Sequence, residues 1–138
     1  LGLQSVDKAD QDLISAWLQK MQDEELDFTR SFRQLADRVE AQDNAVFGEF
    51  EGRWRARLQK QALSPAQVRG QMNAVNPLFI PRNHQIERAI DAAMRDDLAP
   101  FYELRQVLRK PFEEQSGFEV YAEPPGLGER VTETFCGT

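Results

Sequence analysis

One cysteine and one histidine stand among 138 residues, and that scarcity excludes several chemistries. Cys136 alone makes no internal disulfide and no cysteine-rich zinc site. His84 alone makes no multi-histidine metal centre. No apolar run approaches the ~18–20 residues of a membrane-spanning helix, and no signal-peptide pattern is present. Positive charge is also short, with 17 Lys and Arg against 23 Asp and Glu, a net charge of −6. Phosphate contacts need clustered cations, so neither nucleic acid nor an anionic membrane is an expected partner.

What the sequence does hold is core material. Hydrophobic residues make up 41%, and nine Phe, two Trp and two Tyr supply large side chains. A chain of this length buries about 68% of its unfolded surface and needs no disulfide or metal staple. These values predict one soluble globular domain. The chain opens Leu1-Gly2-Leu3 without Met, and the expectation is a processed chain or a piece of a larger protein.

Charge is unevenly spread. Residues 1–52 carry net −7, residues 53–110 net +6, and residues 111–138 net −5. The expected reading is internal pairing of acidic flanks with a basic middle. The alternative is a basic face that docks another surface of a longer chain.

The first 110 residues read as helices. Leu13, Ile14, Trp17, Leu18 and Met21 form one stripe over 8–22, with Asp7 and Asp10 at its positive end. Phe28, Phe32, Leu35 and Val39 form a second stripe behind Asp27, a suitable N-cap. Phe47, Phe50, Trp54 and Leu58 form a third. Ser64-Pro65-Ala66-Gln67 carries a capping box with Pro at the first helical position, ahead of Val68, Met72 and Val75. Helix resumes after Asn83, read as an N-cap, with Ile86, Ala89, Ile90 and Ala93 facing inward. Asp97 is read as capping a last helix with Phe101, Leu104, Val107 and Leu108, which Pro111 ends. Residues 111–138 hold three prolines and four glycines without helical period. The predicted fold is therefore all-α, a compact set of five to six helices over 1–110 with an irregular tail over 111–138, allowing one short helical turn.

Several groups invite a functional reading. Arg53, Arg55 and Arg57 flank Trp54, as an anion site with a stacking aromatic would. Spacing of two spreads them around a helix, and Trp54 already belongs to the apolar stripe, so the reading taken is structural. Trp54 is expected in the core and Arg55 on the surface. The acidic run Asp23-Glu24-Glu25 with Asp27 lacks the alternating ligands and Gly of a calcium loop and reads as a solvated loop. His84 has no nucleophile or orienting partner in local sequence and reads as a polar helix-entry residue. Asn76-Pro77-Leu78-Phe79-Ile80-Pro81-Arg82-Asn83 is a proline-broken corner. Each proline favours extended backbone at the residue before it. Asn76, Pro77, Arg82 and Asn83 are the candidate residues, as a structural corner or as a docking surface presented by Arg82. Cys136 ends the list, a lone thiol expected to be accessible near the terminus.

Four ordered segments resemble one family. They are Asp27-Phe28-Thr29-Arg30-Ser31-Phe32-Arg33-Gln34-Leu35, Trp54-Arg55-Ala56-Arg57-Leu58, Met72 through Asn83, and the closing Thr134-Phe135-Cys136-Gly137-Thr138. Together they are similar to the C-terminal part of the selenoprotein O family, across nearly the whole chain. The resemblance implies part of a protein-kinase-like fold. It also implies a parent enzyme that transfers AMP from ATP to protein hydroxyl groups with Mg or Mn. The family's phosphate loop, nucleotide-binding Lys, catalytic Asp and metal ligands precede the matched region. This chain contains no Gly-rich loop, Asp-Phe-Gly or His-Arg-Asp. No catalytic, cofactor-binding or metal residue maps onto it, and none is expected in the fragment. Only the family's C-terminal cysteine maps, onto Cys136, although this chain ends Cys-Gly-Thr where many bacterial members end Cys-Ser-Ser. The expected role is a non-catalytic helical part that buttresses the large lobe and carries a candidate redox cysteine. Its expected partner is the rest of the parent chain, which meets the protein substrates, in a bacterial cytoplasm. The alternative is an autonomous helical interaction module without enzymatic activity.

Overall fold

The computed structural model describes residues 1–5, 7–41, 45–126 and 128–129. Six α-helices account for the regular structure, and no strand occurs among the described residues. They are α1 (Lys8–Asp23), α2 (Phe28–Asp37), α3 (Gly48–Leu58), α4 (Pro65–Val75), α5 (Asn83–Ala93) and α6 (Ala99–Leu108). The all-α expectation holds. The chain divides after Pro77 into two compact units, Leu1–Pro77 and Leu78–Thr138. The sequence boundary at residue 110 marks a change from helix to irregular backbone inside the second unit.

Helix starts follow local chemistry. Asp7 and Asp10 form a reciprocal capping box at α1, each carboxylate accepting from the other's backbone N–H at 3.0 Å. Ser64 and Gln67 do the same at α4, behind Pro65 at the first position. Asp27 caps α2 by accepting from the Arg30 N–H at 2.8 Å. Each cap satisfies donors that the first helical turn leaves without an intrahelical acceptor. Two caps differ from expectation. Arg82 is the residue in cap position at α5, and Asn83 is already helical. Leu98 precedes α6, while Asp97 still accepts from the Ala99 N–H at 3.0 Å, one residue earlier than the standard cap.

The first unit is built around Trp17. Its ring stacks on Phe50 at 4.9 Å and meets Phe47 edge-on at 4.9 Å, arrangements that favour ring quadrupoles as well as burial. Leu13, Met21, Leu35, Trp54, Leu58, Val68 and Met72 complete this core. The Leu1-Gly2-Leu3 strap packs on it. Gly2 sits at φ +75°, and a Cβ there would stand 2.7 Å from Val68 Cγ1, so this position needs glycine. Trp54 is fully buried, with its indole N–H donating to the Leu1 carbonyl at 2.9 Å.

The second unit has its own core of Phe79, Leu104, Val107 and Tyr121. Residues 111–122 are more than a surface covering. Phe118, Tyr121 and Ala122 pack into that core, and Glu119–Tyr121 forms the single 3₁₀ turn allowed for. Gln115 accounts for part of the helix end, donating to the Val107 and Lys110 carbonyls at 3.0 Å each.

Five residues assigned to apolar stripes lie outward. Leu18, Phe28, Val75, Ile90 and Phe101 are all exposed. The period locates apolar residues but not the small and hydrogen-bonded polar groups that complete a buried face. In α2 that face includes Ser31 and Arg33, and in α5 it includes Gln85.

Candidate functional site

The proline-broken corner is divided between the units. Asn76 and Pro77 close the first, and Arg82 and Asn83 belong to the second. Asn76 is extended at φ −101° and ψ 110°, as the following proline requires. The group that ties this end is Arg33, which the stripe analysis passed over. It is buried in α2, and its Nη1 donates to the carbonyls of Asn73 at 3.2 Å and Asn76 at 3.3 Å. A guanidinium thus satisfies carbonyls that the broken end of α4 leaves without N–H partners.

Beyond Pro77, the Leu78 and Phe79 amides both donate to the Pro111 carbonyl, at 2.7 and 3.1 Å. Arg82 is 6% exposed and donates from Nη2 to the Ala122 carbonyl at 3.0 Å. Gln85 adds a bond to the Val120 carbonyl at 3.3 Å. Arg82 therefore faces the 118–122 segment, where its guanidinium serves a backbone carbonyl. Asn83 is exposed at the first turn of α5. His84 stands 3.1 Å from the Gln85 amide nitrogen and lines a cleft of about 370 Å³ with Arg88, Asp91, Arg95 and Glu123. Cys136 lies outside the described residues.

The arginines of α3 are sorted by their partners. Arg55 donates from Nη2 to Glu51 Oε1 at 2.6 Å and to the Arg38 carbonyl at 2.8 Å, and from Nη1 to the Ala41 carbonyl at 2.6 Å. The expectation of a surface Arg55 is corrected here. A charge spaced one turn from Glu51 is drawn onto that buried carboxylate and is itself half-buried. Glu51 is fully buried and also accepts from Arg38 Nε at 2.9 Å and the Phe47 N–H at 3.1 Å. Burial alone would raise its pKa. The Phe47 N–H, Arg38 and Arg55 outweigh that and hold it below the ordinary value.

Arg57 forms a two-pronged bridge to Asp10, Nε to Oδ1 at 2.7 Å and Nη2 to Oδ2 at 2.9 Å, and reaches the Ser5 carbonyl at 3.0 Å. The hydrogen bond from Arg57, and then that from the Asp7 N–H, lower the Asp10 pKa. The same bond raises that of Arg57. Arg53 is exposed and lines a polar cleft of about 550 Å³ with Lys60, Arg57 and Asp10. Two of the three guanidinium groups are thus engaged by carboxylates, which removes them from anion binding. The run at 23–27 forms the link between α1 and α2, with Glu24 paired to Lys20 and Asp27 used as a cap. Among the described residues, no three His, Cys, Asp or Glu side chains are gathered as a metal centre. No helix among them is long and apolar enough to cross a membrane.

The geometry so far describes helical scaffolding stapled by buried ion pairs. Comparison with known proteins decides the family. The model for protein adenylyltransferase SelO matches residues 1–109. The chain belongs to the SelO family. Bacterial relatives called protein nucleotidyltransferase YdiU match along its full length. One from Bradyrhizobium diazoefficiens is 45% identical, one from Rhodopseudomonas palustris 44%, and one from Rhizobium etli 41%. The chain covers 30% of the length of each. The SelO match contains α1 to α6, so the first unit, the two α-helices of the second and the whole 76–83 corner fall inside it.

Proposed function

We propose that this chain is the non-catalytic helical part of a SelO-type protein adenylyltransferase, downstream of the catalytic motifs. In the parent, AMP passes from ATP to hydroxyl side chains of proteins and pyrophosphate leaves. The observation that carries this reading is the SelO match over 1–109 in a chain covering only 30% of its relatives. The parent's ATP and its Mg or Mn are held by residues outside this chain, and the rest of the parent is its partner. The helical units buttress the large lobe, and Asn76, Pro77, Arg82 and Asn83 act as a structural corner of the chain. The setting is the bacterial cytoplasm.

Phosphoryl and nucleotidyl transfer need a phosphate cradle and metal-holding carboxylates in one cleft. Glu51 and Asp10, the buried carboxylates, are instead saturated by arginines. Cys136 is the thiol this chain brings to a bridge with a second thiol of the parent, which restrains the enzyme until reduced.

Two ATP preparations test the reading, one labelled at the α-phosphate and one at the γ-phosphate, each incubated with the parent, Mg or Mn and a protein acceptor. Label on acceptor hydroxyls from the α-labelled ATP alone is expected. Transfer from γ-labelled ATP would make the parent a kinase and refute the proposal. Under oxidising conditions, Cys136→Ser should remove the stimulation of transfer by reductant. Unchanged stimulation would refute the role of the thiol.

A further inference from the structure

The first unit carries a groove of about 700 Å³ that its own core leaves unfilled. Leu3, Ile14, Trp17, Leu18, Phe32 and Val75 line it, and no charged side chain does. Two of these are well exposed, Leu18 at 45% and Val75 at 71%, although both sit at stripe positions that sequence assigns to a buried face. Trp17, one of the lining residues, is itself only 1% exposed, so the open apolar surface comes from its neighbours.

We infer that this groove seats an apolar segment of the same polypeptide lying outside these 138 residues. The inference rests on the reading of the chain as part of a longer protein. Charge selects against nucleotides and acidic ligands, since no cation lines the groove. Length selects the parent chain over a second copy. The chain covers 30% of relatives that match it from end to end, so most of the protein lies elsewhere on the same strand. A tethered segment reaches the groove at an effective concentration of order millimolar, which a separate copy matches only in concentrated solution. Apolar occupancy of this kind explains the exposed Leu18 and Val75 as contacts completed within the parent.

The test places a photo-crosslinking benzoylphenylalanine at Val75 in the full-length parent, with the same substitution at exposed Glu49 as control. Irradiation should give a product of monomer mass from position 75, joined to a peptide outside the 138 residues, and that product should be lost at position 49. A cross-linked dimer would identify a second copy, an adduct with a small molecule would identify a ligand, and no cross-link at position 75 would mean an empty groove. Each of these overturns the inference. Adenylyl transfer is assayed separately on unmodified parent. A cross-link without transfer sinks the proposed activity and leaves the groove assignment standing, and transfer without a cross-link does the reverse.

Discussion

Replacing Glu51 by Ala removes the acceptor on which three donors converge. The carboxylate is fully buried and takes bonds from Arg38 Nε, Arg55 Nη2 and the Phe47 N–H at 2.6–3.1 Å. Alanine takes the Glu51 carboxylate away from the Arg38 and Arg55 guanidinium groups and from the Phe47 amide. Removing one partner of a buried ion pair costs about 3–5 kcal/mol, because the remaining charge stays desolvated. The contrasting case is Asp37, whose bridge to Arg69 is exposed on both sides. Asp37→Ala should cost under about 1 kcal/mol. Urea unfolding followed by tryptophan emission suits the comparison, since both tryptophans lie in the first unit. With a urea dependence of about 2 kcal/mol per molar, Glu51→Ala should lower the midpoint by about 2 M and Asp37→Ala by less than about 0.5 M. Equal small shifts would refute the reasoning, and would mean that Arg38 and Arg55 find water as readily as they find Glu51.

Ser64→Ala breaks the reciprocal cap on α4 and should cost about 1 kcal/mol, read from the same midpoints; a neutral result would deny the cap its role. Gly2→Val combines a left-handed φ with a Cβ pressed on Val68, and should weaken the first unit while the second keeps its amide-exchange protection. Asp10 and Glu51 both have folded pKa values below their ordinary ones of 3.8 and 4.5. Their stabilisation is present above those ordinary values and fades as pH falls below about 4, which acid unfolding of the first unit should show.

The helices were legible in sequence because caps and stripes are local. Asp27, Ser64-Pro65 and Gln67 state their roles within four residues. So does the corner, where a proline at 77 dictates an extended Asn76. What sequence could not show is which polar groups are buried. Arg33, Glu51 and Asp10 look like any surface charge until the helices meet, and their partners stand 13 to 47 positions away in Arg38, Arg57, Asn73 and Asn76. Spacing does place Arg55 one turn from Glu51, a pairing visible before folding. Spacing alone leaves it on the surface, because burial of an ion pair is a tertiary property. The 76–83 corner is legible in sequence, while the chain's division after Pro77 is not, because the compactness of each unit is set by contacts and not by composition.

The charge pattern is where sequence and structure inform each other most. The basic middle segment begins in α3 and α4, and there Arg55, Arg57 and Arg69 pair with Glu51, Asp10 and Asp37 of the acidic first segment. Internal pairing therefore accounts for that part of the asymmetry. In the second unit, Tyr121 brings a related dependence on charge at the other end of the pH scale. Burial, then a 2.6 Å hydrogen bond to Glu103, then that carboxylate's charge, push the phenol up to about 12 from 10.0. A raised folded pKa means stabilisation that is complete below pH 10 and is lost as pH climbs toward 12. The second unit should accordingly loosen between pH 10 and 12, read by exchange of amides in α6 or by the ultraviolet absorbance of tyrosinate. Tyr121→Phe keeps the ring in the Phe79, Leu104 and Val107 core and removes the titrating hydroxyl, so it should flatten that loss. Persistence of the alkaline transition in Tyr121→Phe would assign it to another group and break the link between Glu103 and the core.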